Sequence, residues 1–266
     1  MIRAVVLALL VALAAAPAVA ADQAFDLGAK APVTDGKTWR EVLRVLFPDL
    51  RQEPGKDGKI GDYIHGNVDL RPIDKEAFGG DCAEDPLRIE YIDYARVEIA
   101  GQMRVIVGVT TDGDACFGAL ALFDGTGDRL IDVANIQQDA NYGFGPNFVR
   151  SLGADGQLVV ADSFHTTTSN SPDNDVLVLA TADKLALIGN VNAQSERDCR
   201  HTVAEDGYVL IEPDYGSFDR ITGYIKRTVR RLAPDCETTQ GTPSVTITRT
   251  DWRWDAGKKA YRKVSP

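Results

Sequence analysis

From Pro86 to the C-terminus the chain is built of short runs of β-branched and apolar residues, and Gly, Asp and Asn separate those runs. That pattern specifies short strands joined by tight turns, so it predicts a mainly β, antiparallel protein. Leu87, Ile89 and Tyr91 alternate as on a half-buried strand, residues 96–99 form a short strand and residues 103–110 a longer one. The runs 119–123 and 130–133 follow on either side of an Asp-Gly-Thr-Gly turn at 124–127.

Laid on itself at an offset of about 55 residues, the sequence shows an internal repeat. Gly101-Gln102 and the run behind it match Gly156-Gln157 and the run 158–161, while Asp128-Arg129-Leu130 matches Asp183-Lys184-Leu185. The two copies span about 95–140 and 147–192, each a strand-turn-strand unit with a polar loop at its centre. A four-stranded meander of this kind resembles one blade of a β-propeller. The resemblance implies architecture only: irregular propeller-like packing, with a β-sandwich as the alternative. A third, degraded copy begins at Asp206-Gly207-Tyr208 and closes with a hairpin around Asp255-Ala256-Gly257-Lys258.

One helix is predicted, over 38–47 near the N-terminus. Thr38 and Glu41 have the spacing of a capping box, Trp39, Val42, Leu43, Leu46 and Phe47 share one face, and Pro48 ends the segment. Residues 51–62 have turn composition and read as a loop.

The first twenty residues read as a cleaved signal peptide. Arg3 precedes an apolar run over 4–16, and Pro17 and the small residues Ala18-Val19-Ala20-Ala21 follow it. The run is too short to cross a bilayer, which needs about 20 helical residues. Residues 21–266 are then expected to form a single exported domain, periplasmic or secreted, without a membrane anchor. The formal charge of −10 argues against nucleic acid as a partner. Four cysteines in an exported chain predict two disulfides, and pairing neighbours, Cys82 with Cys116 and Cys199 with Cys236, is the simplest arrangement.

No cluster of residues specifies a reaction. There is no G-x-S-x-G elbow, and Ser163-Phe164-His165 places a hydroxyl and an imidazole at bare S-x-H spacing. The three histidines, His65, His165 and His201, lack the spacing of a zinc site, and no metal or other cofactor is expected. Asp112 and Asp114, and Asp173, Asn174 and Asp175, have the oxygen chemistry for Ca²⁺ without the loop pattern that would specify it. Residues 164–175 read as a polar loop that shares a surface with the loop at 110–114, which makes Asp112, Asp114, His165, Asp173 and Asp175 candidates for a binding face. Trp252 and Trp254 point to one side of a strand, as core or as a stacking platform, and a bulge at 249–251 would switch the strand's apolar face. Lys226, Arg227, Arg230 and Arg231 read as a charged, solvated edge strand. The expected function is a non-catalytic binding or interaction module of the cell envelope, its partner an envelope protein or a glycan. The alternative is a hydrolase with a site around His165.

Overall fold

The computed structural model describes residues 26–55, 58, 60–65, 70–74, 86–111, 118–137, 141–145, 147–164, 170–214 and 218–264. The signal segment, Cys82, Cys116, Asp112, Asp114 and His165 lie outside the described residues.

The architecture is mainly β, with antiparallel sheets. Among the described residues a single helix, α1 (Trp39–Leu43), is followed by β1 (Arg51–Pro54), β2 (Ile60–Ile64), β3 (Leu87–Ile99), β4 (Gln102–Thr111), β5 (Ala119–Asp124) and β6 (Leu130–Asn135), which form a six-stranded sheet in chain order. The second, nine-stranded sheet comprises β7 (Asn141–Gly143), β8 (Val149–Ser151), β9 (Gln157–Phe164), β10 (Asn170–Ala180), β11 (Leu185–Arg197), β12 (His201–Glu212), β13 (Arg220–Leu232), β14 (Thr239–Asp255) and β15 (Ala260–Val264). From β9 to β15 it is again a meander in chain order, with β7 and β8 both pairing β9. Successive pairing over short connections is the outcome expected where turns separate strands every few residues. The meanders do not stop at four strands.

Strict side-chain alternation turns the continuous apolar runs into a layered core. On β4 and β5, Val105, Val107, Val109, Ala119, Ala121 and Phe123 pack with the N-terminal segment, including Trp39, Val42 and Leu43. The intervening Ile106, Leu120 and Leu122 pack with Val159, Ala161, Val176, Val178 and Ala180 of the second sheet. On the far side of β9 and β10, Leu158, Val160, Leu177 and Leu179 meet Ile221, Trp252 and Tyr261, because the second sheet curls back over itself. Each fully buried Leu or Val here stabilises the fold by about 1.5–3 kcal/mol relative to exposure.

Two glycines show how closely the layers approach. A Cβ at Gly108 would lie 2.2 Å from the Phe144 ring, and one at Gly223 would lie 2.6 Å from Val191 and 2.9 Å from the Trp252 indole. Tyr142 joins the sheets through polar contacts: its hydroxyl donates to the Val109 carbonyl at 2.5 Å and accepts from the Thr111 amide at 2.9 Å.

Helix α1 carries the expected capping box, with the Thr38 amide donating to Glu41 at 2.7 Å, but it is shorter than the 38–47 segment. After Leu43 the bonds tighten: the amides of Val45 and Leu46 donate three residues back, to Val42 and Leu43. Such tightening is the usual way a last turn uses up its orphan carbonyls. Residues 51–62 are not simply a loop, since β1 and β2 pair from Arg51–Tyr63 to Pro54–Ile60. Backbone pairing overrode their turn-forming composition.

Beyond the curl, the ends of β11 to β14 project as a wing. Positions 239–249 of β14 are exposed on both faces. A disulfide between Cys199 and Cys236 ties the β11–β12 turn to the β13–β14 turn at its tip.

Candidate functional site

Two places outside the core collect polar or exposed groups. The first is the mouth of the curl. The apolar run of β9 ends at Ala161 and that of β10 begins at Val176, and the antiparallel register sets the residues just outside these runs, Asp162 and Asp175, opposite each other. Both lie on the face that carries Val160 and Leu177, so they point into the curl. Gly207 of β12 crosses nearby, where a Cβ would sit 3.8 Å from an Asp175 carboxylate oxygen. Arg150 approaches from β8 and donates to the Val209 carbonyl at 3.1 Å. Together they line a cavity of about 330 Å³ with Phe148 and Val160.

The electrostatics follow from burial and like charge. Burial, then a hydrogen bond that the protonated Asp175 donates to Asp162 and the charges of Asp162 and Asp173, push the Asp175 carboxyl up to about 7, against the opposing pull of Arg150. Asp173 is raised as well, by burial and by Asp162. Asp175 therefore keeps its proton well above the ordinary carboxylate range.

This arrangement revises the reading of residues 164–175. Residues 170–175 are strand: they pair with β11 along their length and with β9 from Asp173. Asp173 and Asp175 therefore share one face while Asn174 points to the other, and the three side chains cannot converge on Ca²⁺. Among the described residues no group of three or more His, Cys, Asp or Glu is placed to hold a metal ion. Ser163 is 1% exposed and faces away from the cavity, so the S-x-H spacing presents no accessible hydroxyl there. Asp162 and Arg150 escaped notice in the sequence.

The second place is the wing. Trp252 is 3% exposed, packed against Gly189 and Gly223, which removes it from any stacking platform. Trp254 is half-buried, with its ring centroid 4.0 Å from that of Phe218. The β13–β14 register runs unbroken from Val245 to Trp252; its shift lies between Val229 and Arg231 instead of at 249–251. Val245 and Ile247 thus point away from the tryptophans and are 53% and 61% exposed. On the same face, cross-strand neighbours Tyr208 and Tyr224 stack at 5.0 Å, and the Arg249 guanidinium lies 5.9 Å from the Tyr224 ring.

The basic run also sits differently from its sequence reading. It belongs to β13, which is central, paired to β12 on one side and β14 on the other. The edge is β14. Its far side meets β15 only over Asp251 to Asp255, so among the described residues no strand pairs with that side of positions 239–250. A smaller charged cluster at the tip has His201 Nδ1 2.9 Å from Asp198, whose carboxyl is held down at about 2 by that contact and by backbone amides.

No family model, curated protein or solved structure matches the chain.

Proposed function

We propose that the protein is an exported, non-catalytic binding module of the cell envelope that recognises an extended segment of its partner by adding it as a strand to β14. The observation that carries this reading is the open edge at 239–250, next to exposed Val245 and Ile247. An exposed edge strand offers unpaired amides and carbonyls in register, and alternate side chains beside them give selectivity. Pro243 and the positive φ of Gly241 blunt the start of the strand. The following stretch, Ser244-Val245-Thr246-Ile247-Thr248, has neither charge nor proline. The layered core supports such a role by carrying the wing on sheets whose strands are buried on both faces.

A photo-crosslinking residue at Thr248 of the full chain, expressed in its own envelope, tests the proposal. Adducts that form at Thr248 and not at the exposed turn residue Lys184 are expected. Equal labelling at both positions, or none at either, would contradict it.

The hydrolase reading finds one observation in its favour, Asp175 facing Asp162 in a cavity, with the Asp175 carboxyl raised by burial and by its neighbour. Its original centre, His165, lies outside the described residues. Turnover of ester, glycoside or phosphate substrates that disappears in Asp162→Asn would establish it, and absence of turnover would remove it.

A further inference from the structure

The proposal of strand addition at β14 leaves the chemistry of the added segment open, and the charges around the edge bear on it. Over Arg220–Leu232 and on through β14 to Thr250, the two strands carry Arg220, Lys226, Arg227, Arg230, Arg231 and Arg249 and no Asp or Glu, in a chain of net charge −10. Half of these cations are satisfied within the molecule. Arg220 pairs with Glu212, Arg227 reaches Glu205 at 3.7 Å, and Arg249 reaches Asp251 at 2.8 Å. Lys226, Arg230 and Arg231 are exposed, and among the described residues none has a carboxylate within ion-pair distance; Asp206, opposite Lys226 in the register, is no exception.

The register sets these unmatched cations on β13, one strand in from the open edge, with Lys226 on the Ile247 face, Arg231 on the opposite face and Arg230 in the register shift. Lys226 neighbours Ile247, and Arg231 neighbours Gln240. Between those points β14 presents Gly241, Thr242 and Ser244, small residues over which a long side chain can lie. The next strand position is about 4.8 Å beyond β14 and so about 9.6 Å from β13, a gap that a Lys or Arg on β13 and a facing glutamate on the added strand span together.

Resting on the strand-addition reading, we infer that the segment β14 receives is an extended polypeptide stretch carrying carboxylates. The edge supplies main-chain pairing that a glycan cannot return in register, and the three cations supply charge complementarity. A second copy of this chain is a poorer occupant. A two-fold pairing of β14 with itself would set the Lys226, Arg230 and Arg231 cluster of one copy toward that of the other.

The test uses the mature full chain and labelled synthetic peptides of about ten residues that alternate valine with glutamate, glutamine or lysine. The glutamate peptide is expected to bind about tenfold more tightly than the glutamine peptide at ~50 mM salt, and the gap to close by ~300 mM. Replacing Lys226, Arg230 and Arg231 together by Gln should erase the gap and leave glutamine-peptide binding unchanged; the neutral replacement avoids the folding risk of three charge reversals. Equal binding of glutamate and glutamine peptides would overturn the inference and leave strand addition standing. No binding by any peptide, with no adduct at Thr248, would overturn both. Sedimentation as a dimer that excludes the peptides would assign the edge to a second copy. Polygalacturonate binding that needs the three cations, with no peptide binding, would assign them to an acidic glycan.

Discussion

The paired sheets and the wing are made of the same kind of strand, yet they treat their side chains in opposite ways. In β4, β5, β9 and β10 both faces are covered: Ile106 and Val107, or Leu177 and Val178, are equally buried although they point apart. In the outer part of β14 both faces are exposed. Burial on two sides gives one region its stability, and the other is left holding its shape through backbone pairing, a disulfide and short polar contacts. A region so built contributes little to the global fold and offers surface for recognition.

Truncation is the sharpest way to break this comparison. Leu122→Ala, between the sheets, should cost about 2–5 kcal/mol in urea unfolding. Ile247→Ala removes a similar volume from the wing and should cost no more than ~0.5 kcal/mol. Comparable losses at both positions would mean that the wing face is covered in solution.

Replacing Cys199 and Cys236 together by Ser should cost about 2–4 kcal/mol where the wing unfolds with the rest. Because the bridge joins two turns at the tip, a separate early transition confined to the wing is the expected form of that loss, visible as protease cleavage within 198–200 or 233–238 before global unfolding.

pH separates the regions by sign. The folded state holds a proton on Asp175 up to about 7, whereas the unfolded chain releases it near the ordinary 3.8. Stability from this group is therefore present below about pH 4 and is lost as pH rises through 7. At the wing tip Asp198 and Asp235 are held down at about 2, so their contribution is present above the ordinary value and is lost as pH falls toward 2. Melting temperatures measured from pH 4 to 7 should fall relative to those of Asp175→Asn, and a parallel pair of curves would contradict the raised Asp175 carboxyl. A smaller effect, about 1 kcal/mol, is expected for Thr38→Ala, which removes the cap of α1.

How much of this was legible in the sequence depended on whether the signal was local. The apolar runs named their own strands, and the capping box marked where the helix starts, though Pro48 did not mark its end at Leu43; the Cys199–Cys236 bridge followed from proximity along the chain. Contacts set by register were harder to read. Asp162 and Asp175 meet because each sits just outside the apolar run of its own strand, one after and one before, and in a hairpin those positions face each other. That mirror placement was visible but went unread, because low β-propensity made 170–175 look like loop. The basic strand was misplaced for a similar reason: nothing in Lys226 to Arg231 says that a further strand, rich in threonine, lies outside it. Curling, which buries Trp252 against Gly189 and Gly223, depends on glycines on three-dimensional neighbours and has no signature in any one segment.

The central claim is that β14 presents an unpaired edge while the sheets beneath it are closed. Residue-resolved amide hydrogen exchange of the free protein tests it most directly. Alternate amides between Ser244 and Thr250, those directed away from β13, should exchange at nearly unprotected rates, while the amides of β5 and β10 exchange only with global unfolding. Uniform protection along 244–250 in the free protein would contradict it.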